Sequence, residues 1–421
     1  RRALGAAAIA AGVAVVAWRA SALGWIGLAL SLWLLVAGLI RLNQARTGPT
    51  DARVSEVLLG LSGIGVGVVA LTWPDATIAF IGLLLGLRAA VLGGAVLLDC
   101  LRRRRGERPA DALRRTARLG WSVTAFVLTL GLVASSFLLR GTATVTAFYG
   151  PPAGASSTGP AGELLRAEAI TDDVPDGAEG WRILYRTSDE RGRPTVASAT
   201  VVAPGGNASH PVVAWAHGTT GFDRTCAPSL LGGGLTGAAF PDVLPDVLDR
   251  GWAVVATDYP GLGTGGTHPY LIGRAEAYSV LDSVRAARQL TSEGLRLDDR
   301  TVAWGHSQGG GAAIWTSQVQ PRYAPDVPLS GAAAMAPAAD LPRLTDNLTD
   351  GTAGEIFASF LAMAYSGTYS DVRLEDVVRP AALPIVRRLA TRCQADPEAF
   401  VSVLAAAAIS KQSVLALTPR E

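Results

Sequence analysis

The sequence predicts a chain in two parts: an all-α transmembrane bundle of five helices over residues 1–140, then an α/β part with a mostly parallel sheet from about residue 165. Three observations predict it. Long apolar runs are confined to the first 140 residues, and short β-rich runs alternating with amphipathic helices take over afterwards. One of those short runs, Thr301–Trp304, is closed by the pentapeptide Gly305-His306-Ser307-Gln308-Gly309. A length of 421 residues suits two or three domains. Charged residues at 17% and a mean hydropathy of +0.30 suit a chain partly embedded in lipid. The formal net charge is only +2, and the arginines gather in loops between apolar segments, which points away from nucleic acid.

The apolar runs cover 3–17, 21–40, 54–72, 77–98 and 119–139. All but the first have the roughly 20 residues needed to cross a hydrocarbon core. With a short first run and Arg1 at the start, the sequence reads as a fragment open at both ends. Segment 41–53 carries Arg41, Arg46 and Arg53, and segment 99–118 carries Arg102 to Arg105, Arg108, Arg114, Arg115 and Arg118, whereas the turns at 18–20 and 73–76 hold only Arg19. Positive loops stay in the cytoplasm, so the N-terminus is expected inside a bacterial plasma membrane and everything after Arg140 outside. A repeat recurs at a spacing of 55 residues: Trp18 with Trp73, Ile26-Gly27-Leu28 with Ile81-Gly82-Leu83, and Gly38 with Gly93. These hairpins resemble the small repeat-hairpin membrane proteins associated with bacterial acid resistance, over residues 3–98. Arg88, in mid-span, is a functional candidate by position, although snorkelling or burial against another helix explains it as well. An alternative makes the fifth run a signal sequence cut near Val145-Thr146-Ala147; four preceding helices favour retention.

Residues 141–164, rich in Gly, Pro and Ser, are expected to link the two parts. Candidate strands follow at Trp181–Thr187, Thr195–Ala203, Pro211–His217, Trp252–Asp258, Thr301–Gly305 and Gly331–Ala336, with a helix at 275–291 and another after Ser307. Near-continuous apolar strands alternating with helices predict a sheet covered on both faces. In that context Gly-x-Ser-x-Gly is a nucleophile elbow, the strand-to-helix turn of an α/β-hydrolase. Gly305 and Gly309 leave room for the turn, and Ser307 is the candidate nucleophile. Acyl transfer needs two backbone N–H groups aimed at the developing oxyanion. Gln308 is expected to supply one, and the loop His217-Gly218-Thr219-Thr220-Gly221 the other, from Thr219 with Thr220 as second choice.

The chain's four histidines are His210, His217, His268 and His306, so none follows Ser307, although the hydrolase order is Ser, acid, His. His217 and His306 are not expected to act as the base. His268 and Tyr259 are candidates to line the pocket, and Asp340 is a weak candidate for the acid. Gly261-Leu262-Gly263-Thr264-Gly265-Gly266 fits a dinucleotide fingerprint, but Pro260 and Pro269 bracket it and no helix opens there, so a glycine-rich loop is expected. Neither C-x-x-C nor a Cys/His cluster occurs, and no metal or organic cofactor is expected.

Tyr259-Pro260-Gly261-Leu262-Gly263 with Thr267-His268-Pro269-Tyr270, the loop 217–221 leading to Cys226-Ala227-Pro228-Ser229, and the elbow at Ser307 together resemble the secretory lipase family, over about 165–421. The resemblance implies an α/β-hydrolase core at 165–340 and a helical lid at 341–421, with helical patterns at 354–365 and 397–408. It also implies that the chain is truncated before the last strands, the acid and histidine falling beyond Glu421. The expected function is a serine ester hydrolase, lipase- or carboxylesterase-like, acting on acyl-ester lipids or small esters outside the membrane, the fragment itself being inactive. The alternatives are a noncatalytic, membrane-anchored lipid-binding sensor or scaffold, and a peptidase or acyltransferase on the same fold. Oligomeric state is not legible. Cys226 and Cys393 both fall in the outer part, where disulfides persist; either they bridge the oxyanion loop to the lid or they remain two free thiols.

Overall fold

The computed structural model describes residues 23–73, 77–97 in part, 111–138, 143–151, 159–171, 174–231, 243–348, 352–380, 382–394 and 415–416. The expected span at 3–17, the loop 99–110 and the lid helix at 397–408 lie outside the described residues. The chain divides into two compact units: residues 1–140 with 380–385 and 400–411, and residues 141–379 with 386–399 and 412–421.

In the first unit, three helices among the described residues are long and apolar enough to cross a membrane: α1 (Leu23–Thr47), α2 (Arg53–Thr72) and α3 (Asp111–Leu138). Described residues between Thr77 and Leu97 are also helical, and Arg88 among them is exposed. Leu32, Trp33, Val36, Leu39 and Ile40 of α1 are exposed, as side chains that face lipid are. Helices α1 and α2 meet backbone to backbone, since a Cβ on Gly38 would come within 3.0 Å of the Gly60 carbonyl oxygen. Small residues permit that approach where lipid offers no hydrophobic gain. Glu56 of α2 accepts from Arg41 of α1 at 2.9 Å and from Arg118 of α3 at 2.5 Å, so one carboxylate ties three helices.

The second unit is built on a seven-stranded sheet of order β1-β2-β3-β5-β4-β6-β7. The strands are β1 (Leu164–Ile170), β2 (Ala178–Ser188), β3 (Pro194–Pro204), β4 (Ser209–Ala216), β5 (Ala253–Thr257), β6 (Arg296–His306) and β7 (Leu329–Met335). Strands β4 to β7 run parallel, but β1/β2, β2/β3 and β3/β5 pair antiparallel. The sheet is therefore mixed: residues 181–203, expected as the antiparallel start of a mostly parallel sheet, form the antiparallel pair β2/β3, and β1 extends the antiparallel part further than expected. The extra antiparallel strand, β1, escapes a search for apolar runs because Arg166 and Glu168 interrupt it, and Glu168 takes an ion pair from Arg182 across the strand pair.

Helices cover both faces. On one, Val280, Leu281 and Val284 of α5 (Gly273–Ala287) and Ala312 of α6 (Gln308–Tyr323) pack on Ile183, Val201, Val212 and Val255. On the other, Leu244 and Leu248 of α4 (Leu244–Asp249) pack on Val213, Trp215 and Val254. Double-sided burial is why β4 and β5 read as unbroken apolar runs. Beyond β7, which is exposed along nearly its whole length, come α7 (Leu341–Leu348), α8 (Thr352–Thr368), α9 (Leu374–Val377) and α10 (Leu383–Leu389). Phe360 and Ala364 of α8 bury against Tyr270 and Leu271. Within the stretch expected to be a linker, Phe148 and Tyr149 are buried, and the Tyr149 hydroxyl lies 2.8 Å from Ser229 Oγ.

Candidate active site

Strand β6 ends at His306 and α6 begins at Gln308, so Ser307 alone makes the turn. It adopts φ 56° and ψ −116°, a region that an L-residue occupies at a cost of about 1–3 kcal/mol and keeps only when its surroundings over-determine it. They do. The Ser307 N–H donates to the Met335 carbonyl at 2.9 Å, and the Ser307 carbonyl accepts from Ala338 at 3.0 Å and Gly311 at 3.1 Å. A Cβ on Gly305 or Gly309 would fall within 3.0 Å of the Ala216 carbonyl oxygen, so β4 leaves room only for glycine on either side. The strand-turn-helix geometry of an elbow is thus present at Ser307, which is half-buried at the C-terminal end of the parallel strands.

The loop after β4 passes beside it. A Cβ on Gly218 would stand 3.3 Å from the His306 carbonyl oxygen and 3.8 Å from Ser307 Cβ. Thr219 Oγ1 lies 2.9 Å from the Tyr270 hydroxyl, and Thr220 Oγ1 donates to the Cys226 carbonyl at 2.8 Å. Cys226 and Cys393 form a disulfide, and Gln394 N–H donates to the Thr220 carbonyl at 2.7 Å. The loop is thereby fastened to residues 393–394.

None of the four histidines hydrogen-bonds the Ser307 hydroxyl. Both ring nitrogens of His217 face carbonyl oxygens, of Gly218 at 2.6 Å and Asp258 at 3.2 Å; burial lowers its pKa below the ordinary histidine value. His268 has Nδ1 3.2 Å from the Pro260 carbonyl and Nε2 3.1 Å from Gln308 Nε2, and burial lowers its pKa to about 3. His210 contacts the Gly251 carbonyl at 2.9 Å, and His306 is half-buried beside Gly218. Tyr259, at φ 67°, is buried and donates its hydroxyl to the His217 carbonyl at 3.1 Å. Asp340 is exposed at the start of α7, accepting from Arg343 N–H at 3.2 Å, and touches no histidine.

Two buried acids next to the site were not singled out in the sequence. Asp258, at the end of β5, accepts from Ser198 Oγ and Ser229 Oγ, each at 2.5 Å, and from Ser229 N–H at 2.9 Å. Glu276 of α5 accepts from Gln308 Nε2 at 2.7 Å and Leu271 N–H at 3.0 Å, and burial raises its pKa to about 8. The signal for Glu276 was a lone acid four residues before Val280, on the apolar face of its helix. Gln308 and Glu276 also line a cavity of about 850 Å³ with Gly311, Trp315, Leu341 and Tyr365, a volume within the range of small-molecule sites.

Residues 239–405 match the secretory lipase family, and residues 3–66 and 58–114 each match a short repeat of unknown function (DUF308). Lipase 6 of Candida albicans is 28% identical over 270 residues, covering 59% of this chain and 56% of that protein. A Mycobacterium tuberculosis protein named "Probable inactive lipase MT1628" is 33% identical over 211 residues, 46% of this chain and 45% of that one. Among solved structures, Candida antarctica lipase A aligns at 21% identity with a TM-score of 0.49 over 59% of either chain. A Legionella pneumophila protein described as a hydrolase aligns at 19% identity with a TM-score of 0.50 over 60% of this chain and 73% of its own, a likeness of fold. The chain spans about half the length of the curated relatives it matches. Residues 239–405 of this chain are thus similar to the secretory lipase family, and its N-terminal part, similar over two stretches to DUF308, holds three helices among the described residues that are long and apolar enough to cross a membrane.

Proposed function

We propose that the second unit is a serine ester hydrolase acting on acyl-ester lipids or small esters outside a bacterial plasma membrane. In this proposal residues 1–140 are a five-span anchor with a cytoplasmic N-terminus, 141–164 connect it to the hydrolase, 165–340 form the hydrolase core and 341–421 a helical lid. The observation that supports it best is the strained conformation of Ser307, φ 56° and ψ −116°, with the 217–221 loop running alongside. Ser307 Oγ attacks the ester carbonyl carbon, its proton passes to a general base, and the carbonyl oxygen becomes an oxyanion. The N–H groups of Gln308 and Thr219 are the donors proposed for that charge, which a preorganised site stabilises far better than water does. Collapse of the intermediate expels the alcohol, which takes up the proton, and water then releases the acid.

In this reading the base is a further histidine brought to Ser307, because His210, His217 and His268 are engaged elsewhere and His306 does not hydrogen-bond the Ser307 hydroxyl. Among the described residues no strand pairs with the outer edge of β7, which leaves backbone on which an additional segment can dock. The similarity to a protein named "Probable inactive lipase MT1628" supports one other role, a noncatalytic lipid-binding unit in which the fold is retained and the chemistry is not.

A panel of p-nitrophenyl esters from acetate to long-chain acids, assayed with the natural full-length protein, separates the two. Turnover that falls by at least about 1000-fold in Ser307→Ala is expected. Absence of turnover by the natural protein leaves only the noncatalytic role, and turnover unchanged in Ser307→Ala removes Ser307 as the nucleophile.

A further inference from the structure

Gln308 is both the residue after the candidate nucleophile and the first residue of α6, so whatever holds its side chain also holds the N–H proposed for the oxyanion. That side chain is buried and turned back into the fold. Its orientation is fixed by a relay of hydrogen bonds. The Pro260 carbonyl can only accept, so His268 Nδ1 carries the proton and Nε2 is left as an acceptor. Nε2 then requires the NH₂ end of the Gln308 amide, which it meets at 3.1 Å. The other Nε2 hydrogen goes to Glu276 Oε1 at 2.7 Å, and Gln308 Oε1 is left buried without a partner. Glu276 Oε1 is in turn pinned by Leu271 N–H.

We propose that Glu276 is a positioning residue for the ester hydrolase proposed above: its carboxyl group anchors the Gln308 side chain and so aims the first N–H of α6 at the reacting carbonyl. The inference rests on that ester-hydrolase proposal. The start of α5 favours a charge at this position, yet burial outweighs it and raises the Glu276 pKa to about 8, so the group is uncharged at neutral pH. What faces it is uncharged as well. His268 is neutral, and burial raises the phenol pKa values of Tyr259, Tyr270 and Tyr365 above the ordinary tyrosine value. Arg274 on its own helix is exposed, and Arg191, also at the cavity, is paired with Glu190. Among the described residues no cation therefore pairs with Glu276. Once ionised, it would set an uncompensated negative charge beside the residue that must stabilise a developing one, and the rate would fall. A neutral acid holds Gln308 equally well without that penalty, and a neutral amide does the same.

The test is kcat/KM for ester hydrolysis against pH, measured with the full-length protein, Glu276→Gln and Glu276→Leu. The expected wild-type profile declines as pH rises through about 8. Glu276→Gln removes that decline, so the ratio of variant to wild type climbs about tenfold per pH unit above 8, the limit for one ionisation. Glu276→Leu leaves one hydrogen of Gln308 Nε2 and the Leu271 N–H without an acceptor, and kcat falls about tenfold or more at every pH, a fraction of the loss caused by removing an oxyanion donor outright. Parallel profiles for wild type and Glu276→Gln, with turnover present, overturn the positioning role alone. Absence of turnover by wild type at any pH overturns the ester-hydrolase proposal and this inference together.

Discussion

On the loop side of Ser307, Asp258 accepts from Ser198 Oγ, Ser229 Oγ and Ser229 N–H, and the 217–221 loop is fastened by the Cys226–Cys393 disulfide and by Gln394. On the helix side, Glu276 accepts from two donors only, and the side chain it holds keeps a buried oxygen without a partner. Burial raises both carboxyl pKa values. Three short hydrogen bonds offset that burial at Asp258, whereas two do so at Glu276. One flank of the turn is therefore secured by covalent and redundant bonds, and the other by two hydrogen bonds to a buried acid that burial keeps neutral. Rigidity around a strained residue need not be symmetric; the softer flank is the one open to tuning.

Cutting the staple on the loop side should have the largest effect. Replacing Cys226 and Cys393 together by serine is expected to lower the unfolding free energy by about 2–5 kcal/mol, read as a drop in the denaturant midpoint of the second unit. A midpoint unchanged by the double substitution erases the contrast between the two flanks.

The helix side should respond to pH instead. The folded-state pKa of Glu276 is raised from 4.5 to about 8, so its contribution is intact below pH 4.5 and is lost as pH rises toward 8. Glu276→Gln removes that loss, and its stability advantage over wild type widens by up to about 1.4 kcal/mol per pH unit across the window. His268 has the opposite sign. Its folded-state pKa is depressed from 6.5 to about 3, so the unfolded chain gains a proton first and stability falls as pH drops through that range. His268→Gln is expected to flatten that acid limb by up to about 1.4 kcal/mol per pH unit, a smaller total because only the part of the window above pH 4 is sampled. Melting temperatures of the three proteins from pH 4 to pH 9 check both signs.

Features set by local constraints were legible in the sequence. The sharp strand-to-helix turn could be read because a turn of one residue forbids side chains at Gly305 and Gly309, and the apolar runs of β4 and β5 because both faces of those strands are buried. The 55-residue spacing reappears in the two DUF308 matches, which start at residues 3 and 58. Features set by distant pairs were not legible. β1 alternates charge with apolar residues and so resembles a linker. Asp258 and Glu276 are ordinary acids in sequence, and their side-chain partners lie 29 to 60 residues away. The cysteine pair spans 167 residues and could be read only as one of two alternatives. The membrane part was legible from length and apolarity, and three of its expected spans are described as helices of sufficient length.

The central claim is that Ser307 is a nucleophile presented on a strained turn. Incubating the full-length protein with a fluorophosphonate and locating the adduct by peptide mass spectrometry tests it most directly. Phosphonylation of Ser307, abolished in Ser307→Ala, is the predicted result. A protein that stays unmodified, or one that carries the adduct at another residue, contradicts it.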